Sequence, residues 1–314
     1  ASPHRRCASR PGAAGAAGEP GSRTAMLPGM GPKHQALGAL GPKPLGAARQ
    51  VEGCPLVLLG VPPPPPSCSS KVRELVQALN GSITWLHSFS AGVDGLAGFL
   101  KEDVSGITLT NGRGAFSDSL AEYAITAALY FTKDIPRSQD NARECKWEQF
   151  KMGMLRGKTM GFLGWGHIAK TTAKLARAFG MRIIACRRQK GEESDVTFFE
   201  DRLDVMRESD FIVCSLPATA ETAKFCGAAE FSAMKQNGVF ISLGRGAVVD
   251  EAALLAALTN GTIRGAALDV FATEPLPKES PLWRLPKEKI YITSHNADLT
   301  EDYFSLGWDI WAQN

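Results

Sequence analysis

The sequence predicts an α/β fold built on a doubly wound parallel sheet, with a second, smaller α/β lobe beside it. Two observations predict the sheet. After Gly157, short apolar segments alternate strictly with helix-like segments, and a glycine-rich turn joins the first apolar segment to the first helix. Alternation of this kind is typical of parallel sheets that helices cover on both faces. Such sheets bind ligands at the carboxyl ends of their strands, where functional residues are therefore expected.

The main lobe is predicted as alternating strands and helices. Strands are expected over 159–163, 182–186, 211–216, 239–243 and 265–270, and helices over 168–179, 199–208, 229–235 and 251–259. Each strand segment is short and apolar, and each helix segment repeats its apolar residues at helical spacing. This regular order makes the region after Gly157 the better defined part of the fold.

Upstream of this run, the pattern predicts a long helix that bridges the two lobes. Its apolar face runs from Leu120 to Leu129, and Ser119 and Glu122 have the spacing of a capping box at its start. The helix is expected to stop near Pro136. The smaller lobe is predicted from a helix-like segment at 71–79 and from β-rich segments at 83–86 and 107–109.

The first fifty residues differ in composition from the rest. They are rich in Ala, Gly, Pro and Arg, and seven Lys and Arg stand there against the single acid Glu19. Because they show no hydrophobic periodicity, we expect residues 1–50 to form a disordered, low-complexity or targeting segment. The expected location is cytoplasmic by default, or an organelle such as a plastid or mitochondrion if this segment is a transit peptide.

Bulk composition argues against several classes of protein. The chain has 314 residues, 44% of them hydrophobic, and a formal net charge of +3 that comes partly from the first fifty residues. A strongly basic nucleic-acid surface is therefore not indicated, and no apolar run approaches the roughly 18 to 20 residues of a membrane span. The seven cysteines are scattered, with no close C-x-x-C pair and no zinc-ligand spacing, so no metal site is expected.

The glycine-rich turn has the residue pattern of a dinucleotide site. Gly164-Trp165-Gly166-His167-Ile168-Ala169 fits G-x-G-x-x-[GA] between a predicted strand and a predicted helix. In this context backbone N–H groups and the helix dipole hold a pyrophosphate, which indicates a Rossmann-type coenzyme domain. Gly164 permits the turn and Gly166 lets backbone approach phosphate, whereas the side chain of His167 receives no role. A merely tight turn is the alternative interpretation.

Three further segments place charged or titratable side chains at predicted strand ends. Arg245 lies between two glycines, where its planar guanidinium can bind a carboxylate. Glu274 follows an apolar strand that ends in Asp269, and His295 follows another short apolar segment. Taken singly, a glutamate such as Glu274 is usually a solvated acid, and a histidine such as His295 usually belongs to the core or the surface without a functional role. A structural role does not explain why all three occur at strand ends of one sheet.

The end of the second strand of the main lobe bears on the choice of cofactor. NAD-binding domains of this type place an Asp or Glu about 20 residues beyond the glycine turn, where it binds the adenosine ribose. Here Arg187 and Arg188 occupy that end, and the nearest acids, Glu192 and Glu193, lie beyond a polar loop. Two guanidinium groups suit a 2′-phosphate, so NADPH is the predicted cofactor, with NAD as an alternative. Solvated strand-end arginines are the simpler interpretation.

In combination, these motifs resemble the D-isomer-specific 2-hydroxyacid dehydrogenase family, and among its members the glyoxylate and hydroxypyruvate reductases of plant and algal type. The resemblance covers residues 82–314. It rests on the order of the segments 90–94, 110–111, 121–122, the glycine turn, 209–210, 216–217, 244–246, 268–271, 274–276 and His295.

The resemblance implies a role for each candidate residue. Arg245 is expected to bind the substrate carboxylate and carbonyl, His295 to be the general acid/base, and Glu274 to support His295. Backbone N–H groups of Ala91, Gly92 and Val93 are expected to hold the substrate carboxylate, and Asp269 to lie near the nicotinamide. The expected cofactor-binding residues are Gly164, Trp165, Gly166, His167, Ile168, Arg187, Arg188, Leu216, Pro217 and Asp269.

The resemblance also implies a domain plan and a reaction. Residues 51–112 and 295–314 are expected to form a flavodoxin-like substrate domain, into which the NAD(P)-binding domain at 113–294 is inserted. We expect the substrate domain to be incomplete, because little regular sequence precedes Trp85 and the chain stops at Asn314. The expected reaction is hydride transfer between NAD(P)H and a small 2-oxo acid, such as glyoxylate or hydroxypyruvate, in a homodimer. The alternatives are a nucleotide-sensing binding protein of the same fold, similar to a corepressor, and an inactive fragment.

Overall fold

The computed structural model describes residues 56–59, 74, 77, 83–94, 107–187 and 193–313. Within these ranges the strands form two parallel sheets. The smaller sheet has the order β1 (Leu56–Leu59), β2 (Trp85–Ser88) and β3 (Thr108–Asn111). The predictions for residues 1–50 lie outside the described residues, as does most of the helix predicted at 71–79, of which Glu74 and Gln77 are helical.

The larger sheet is made of seven parallel strands in the described part of the chain. They are β4 (Thr159–Leu163), β5 (Arg182–Cys186), β6 (Thr197–Phe199), β7 (Phe211–Cys214), β8 (Val239–Ser242), β9 (Gly265–Leu268) and β10 (Ile290–Ile292). Their spatial order is β10-β9-β8-β7-β4-β5-β6. Because the order reverses between β4 and β7, a crevice is expected outside the carboxyl ends of these two strands.

Helices cover both faces of the larger sheet. The helices whose bounds the structure gives are α1 (Ser117–Thr132), α2 (Ile135–Arg143), α3 (His167–Ala178), α4 (Arg202–Glu208), α5 (Ala228–Ala233), α6 (Glu251–Thr259) and α7 (Tyr303–Gln313). The helices α1 and α3 share one core, in which small residues such as Ala128 and Ala173 let them approach closely. The helices α4, α5 and α6 bury Met206, Phe231 and Leu254 in a second core. The predicted doubly wound parallel α/β fold is therefore confirmed.

One predicted helix begins later than expected. The pattern predicts a helix over 199–208, but α4 starts at Arg202, because the side chain of Asp201 caps it by accepting from the N–H of Leu203 at 2.9 Å. The residues just before it form the edge strand β6, which pairs with β5. An edge strand of three residues is too short to show a period of its own.

The predicted start of the bridging helix is wrong, and the helix ends at Thr132, short of the predicted stop near Pro136. The helix α1 starts at Ser117, so Ser119 lies inside it, and its hydroxyl donates to the carbonyl of Ala297 at 2.5 Å instead of forming a capping box. Pro136 does not end α1, which stops at Thr132, but lies in the first turn of α2. Proline is well suited to that position because the N–H it lacks would have no partner within the helix.

Neither β1 nor α7 is predicted from the sequence pattern. The helix α7 packs aromatic side chains near the smaller sheet, with Tyr303 stacked on Phe116 at 4.5 Å between ring centroids and Trp311 on Trp85 at 6.1 Å. Stacked aromatic pairs at such distances add to the free energy gained from burial alone. Among the described residues, no helix combines the length and the apolar content needed to cross a membrane.

Candidate active site

The candidate side chains follow the carboxyl ends of the parallel strands. The glycine turn follows β4, Leu216 follows β7, Arg245 follows β8, and His295 follows β10. Gly92 lies just beyond β2 of the smaller sheet. Since the strands of each sheet run parallel, their carboxyl ends share an edge, and this is where ligands of such sheets bind.

His295 and Glu274 form a hydrogen-bonded pair. Nδ1 of His295 lies 2.7 Å from Oε2 of Glu274, and the other carboxylate oxygen accepts from the backbone N–H of Phe271 at 2.9 Å. Burial disfavours both charged forms, but the hydrogen bond and the opposite charges outweigh it, so that the pKa of His295 is raised and the pKa of Glu274 is lowered. The pair therefore favours an imidazolium beside a carboxylate.

Asp269 fixes the loop that carries His295. Its buried carboxylate accepts from the hydroxyl of Thr293 at 2.6 Å and from the backbone N–H groups of Asn296 at 3.1 Å and Ala297 at 3.2 Å. His295 itself has a φ of 51°. A non-glycine residue in this left-handed region costs on the order of 1–3 kcal/mol and persists only where its surroundings hold it. The contacts of Asp269 on both sides of His295 supply that support.

Arg245 extends from the loop after β8 toward the loop after β2. Its Nε donates to Oδ2 of Asp94 at 2.7 Å, and its Nη1 donates to the carbonyl of Gly244 at 2.9 Å. A Cβ atom at Gly92 would fall 1.5 Å from Nη2 of Arg245, so the guanidinium lies directly against the Gly92 backbone. The structure thus brings Arg245 and the candidate substrate loop together.

Close backbone approach requires the two glycines that flank Arg245. A Cβ atom at Gly246 would fall 1.8 Å from the carbonyl carbon of Phe271, and one at Gly244 would fall 2.3 Å from the carbonyl oxygen of Leu216. The loops after β9 and β7 therefore press on the arginine segment from both sides. This packing is the physical reason for the Gly-Arg-Gly pattern.

The loop that contains Ala91, Gly92 and Val93 is held in place from β3. The side-chain amide of Asn111, the last residue of β3, donates to the carbonyl of Ala91 at 2.7 Å. Ala91 is exposed, whereas Gly92 and Val93 are half-buried. The loop is therefore anchored next to the guanidinium while remaining open on one side to solvent.

The glycine turn has the conformation that an anion site needs. Gly164 has a φ of 91°, which glycine adopts without steric cost, and a Cβ atom there would lie 2.9 Å from Cδ2 of Leu216. The helix α3 begins at His167 without a side-chain cap. Its first N–H groups are therefore left for solvent or an anionic ligand. His167 and Pro217 are exposed, and Ile168 is half-buried.

Arg187 lies at the end of β5 beside an aromatic cluster. Its guanidinium carbon is 4.2 Å from the centroid of the Phe198 ring, and Phe198 also packs edge-on against Trp165. The indole N–H of Trp165 donates to Glu193 at 2.9 Å, and Lys170 pairs with the same oxygen at 2.9 Å. Sequence reasoning leaves Glu193 beyond a polar loop, whereas the structure returns its carboxylate to the glycine turn. Arg188 lies outside the described residues.

Hydrogen bonds from Trp165 and Lys170, which outweigh the effect of burial, lower the pKa of Glu193. Its carboxylate is therefore held ionised on the indole side of the glycine turn. The described side chains include no cluster of three or more His, Cys, Asp or Glu that could hold a metal ion.

Several known proteins are similar to parts of this chain in sequence and fold. Residues 125–297 match the D-isomer specific 2-hydroxyacid dehydrogenase NAD binding domain. A glyoxylate reductase from Aeropyrum pernix is 34% identical over 209 residues, 63% of this chain and 62% of that protein. Glyoxylate/hydroxypyruvate reductase B from Serratia proteamaculans is 47% identical over 133 residues, 41% of each chain. The chain thus spans less than two thirds of the length of these curated relatives.

A solved structure agrees with this result. An NADPH-dependent glyoxylate/hydroxypyruvate reductase from Sinorhizobium meliloti, in complex with NADP and malonate, is 32% identical with a TM-score of 0.65. The match covers 73% of this chain and 72% of that one. The matched domain takes up more than half of the chain and includes the glycine turn, Arg245, Glu274 and His295, so the resemblance to this family is confirmed. The chain belongs to the D-isomer specific 2-hydroxyacid dehydrogenase family.

Proposed function

We propose that this chain reduces a small 2-oxo acid to a D-2-hydroxy acid with NADPH. One observation carries the proposal: the Arg245 guanidinium, the loop at Gly92 and the His295–Glu274 pair all lie at the carboxyl ends of parallel strands. The glycine turn that suits a dinucleotide follows another strand of the larger sheet. Relatives named glyoxylate reductase and glyoxylate/hydroxypyruvate reductase support glyoxylate and hydroxypyruvate as substrates.

In this proposal each group acts on a different part of the substrate. Arg245 and the backbone N–H groups of Ala91, Gly92 and Val93 bind the carboxylate, and Arg245 also polarises the carbonyl. His295 donates a proton to the carbonyl oxygen, and Glu274 keeps it protonated until then. When bound, the nicotinamide supplies the hydride that the carbonyl carbon accepts.

The residues around the glycine turn fit the nucleotide. The uncapped start of α3 suits a pyrophosphate, and Gly164, Trp165, Gly166, His167 and Ile168 would surround it. Leu216, Pro217 and Asp269 lie at or just beyond the ends of β7 and β9, on the side expected for the nicotinamide. Arg187 with Arg188 would bind the 2′-phosphate of NADP, with NAD as the alternative cofactor. The Sinorhizobium meliloti structure, which is in complex with NADP, supports NADP as the cofactor.

Replacement of Arg187 by Asp is expected to move the preference toward NADH. The guanidinium is held over Phe198 at the end of β5, and a charge-assisted contact to a 2′-phosphate is worth roughly 1.5 to 3 kcal/mol, or about ten- to a hundredfold. The measurement is the ratio of kcat/KM values with NADPH and NADH. Arg284→Asp, which makes the same charge change at an exposed site, should leave the ratio unchanged. A parent that uses NADH equally well would refute the preference.

Replacement of Glu274 by Gln is expected to narrow the pH range of reduction. Reduction requires protonated His295, and its pKa is raised from 6.5 by the hydrogen bond and charge of Glu274. Turnover in the parent should therefore fall only as pH rises through this raised pKa, and in Glu274→Gln the fall should come at lower pH. The measurement is kcat against pH for both proteins. Superimposable profiles would show that the pair does not set the protonation of His295.

We also propose a domain plan and a homodimer. The plan assigns 51–112 and 295–314 to the substrate domain and 113–294 to the inserted coenzyme domain. The stacking of Trp311 on Trp85 supports the return of the chain to the substrate domain after His295.

The proposed homodimer concerns the segment after α2. This segment exposes Trp147, Met152 and Met154, at 95%, 50% and 63% of their surfaces. Exposed apolar side chains of this kind are candidates for contact with a second copy, and sedimentation equilibrium tests whether the chain is a dimer or a monomer.

Steady-state oxidation of NADPH and NADH with glyoxylate, hydroxypyruvate and pyruvate tests the proposed activity. We expect oxidation that depends on both the acid and the cofactor. A chain that binds NADPH tightly but oxidises it with none of these acids would support the nucleotide-sensing alternative. A chain that binds neither NADPH nor any of these acids would support the alternative of an inactive fragment.

A further inference from the structure

We infer that Asp94 is a positioning residue for Arg245, which fixes the guanidinium in the orientation that binds the substrate carboxylate. The inference rests on the proposed function and extends it to a residue with no role in the chemistry itself. Asp94 follows the candidate substrate loop in the chain, and its carboxylate lies 2.7 Å from Nε of Arg245.

The contacts of Arg245 restrict the movement of its guanidinium. A guanidinium carries five N–H groups in one plane. Asp94 accepts from Nε, and the carbonyl of Gly244 accepts from Nη1 at 2.9 Å. Two contacts on different nitrogens fix both the plane of the guanidinium and its rotation within that plane. Nη2 is thereby placed against Gly92, in the loop whose backbone N–H groups are proposed to bind the carboxylate.

The same contacts indicate that Asp94 supports substrate binding and does not compete with the substrate carboxylate for the same guanidinium nitrogens. A carboxylate that grips the end of the guanidinium uses Nη1 and Nη2, whereas Asp94 occupies the Nε edge. Asp94 and Gly92 belong to one short loop, which Asn111 anchors through the carbonyl of Ala91. Movement of this loop therefore carries the backbone donors and the partner of Arg245 together. The ion pair also joins the loop after β2 to the loop after β8, which belong to different sheets.

Asp94→Asn tests this inference in the full chain with NADPH bound. The variant keeps the shape of the side chain but removes its charge. We expect the Kd for oxamate, an unreactive analogue of a 2-oxo acid, and the KM for glyoxylate to rise about tenfold, because a charge-assisted hydrogen bond is lost. The Kd for NADPH should not change. Asp94→Glu should recover part of the affinity, and Asp309→Asn, the same change at an exposed position of α7, should have no effect.

A double-mutant cycle with Arg245→Lys shows whether Asp94 acts through Arg245. If it does, adding Asp94→Asn to Arg245→Lys should change oxamate affinity less than twofold, since coupled residues are not additive. An undiminished tenfold effect in that background, or an Asp94→Asn variant that binds oxamate as well as or better than the parent, would overturn the inference.

The readouts separate this inference from the proposed function. A parent that binds oxamate and responds to the cycle but oxidises no NADPH contradicts the proposed activity alone. A parent with normal turnover and an unaffected Asp94→Asn variant contradicts the positioning role alone. A parent that neither binds oxamate nor turns over contradicts both. If Asp94→Asn loses NADPH binding through misfolding, Asp94→Ser, which also removes the carboxylate, replaces it in the cycle, and the same criteria apply.

Discussion

Replacement of His295 by alanine is expected to lower kcat about a hundredfold or more, in line with typical general acid/base contributions. The imidazole is the proposed proton donor, and Glu274 holds it at 2.7 Å in its charged form. Alanine removes the proton donor but leaves the proposed carboxylate-binding groups and the glycine turn in place. Steady-state reduction of glyoxylate, together with the Kd for NADPH, separates these effects.

The matched control is His167→Ala, which removes an exposed imidazole at the start of α3. We expect it to keep kcat within about twofold, because only backbone groups at that position are assigned to the cofactor. If His295→Ala kept its turnover, or if both variants lost it equally, His295 would not be the proton donor.

Replacement of Arg245 by lysine is expected to lower kcat/KM by about a hundred- to a thousandfold. Arg245 is proposed both to bind the carboxylate and to polarise the carbonyl, and loss of one such donor costs about that much in other active sites. A lysine ammonium cannot reproduce the planar fork that Asp94 and Gly244 hold in place. The KM should rise steeply and kcat should fall, while the Kd for NADPH stays nearly unchanged.

Arg284→Lys, at an exposed position, is the corresponding control for an arginine exchange. An Arg245→Lys variant with a collapsed affinity for NADPH and a normal KM for glyoxylate would assign Arg245 to the cofactor and not to the acid.

Where local chemistry and packing agree, the sequence predicts elements well. The helix α6 has the predicted bounds 251–259, because Asp250 caps it through the N–H groups of Ala252 and Ala253 at 3.1 and 3.3 Å. The strands β4 and β5 also have their predicted bounds, since each is a short apolar run. The start of α1 is not predictable in this way, because Ser119 bonds to Ala297, which is 178 residues away in the sequence.

The same distinction applies to the candidate site. Arg245, Glu274 and His295 lie in motifs at strand ends, so their convergence follows from the parallel topology. The partner of Arg245 does not, because Asp94 lies 151 residues earlier in the chain. An acid directly after the glycine-containing loop was the available signal, but only the structure shows which cation it meets. Glu193 is similar, because the return of its carboxylate to Trp165 depends on tertiary structure.

Transfer of deuterium tests the central claim most directly. NADPH carrying deuterium at both C4 positions is incubated with glyoxylate or hydroxypyruvate and the full chain, and the product is analysed by mass spectrometry. The proposed reaction predicts a 2-hydroxy acid with one deuterium on C2 from the parent, formed far more slowly by His295→Ala. A 2-hydroxy acid without deuterium, or no product from a parent that binds both NADPH and oxamate, would contradict it.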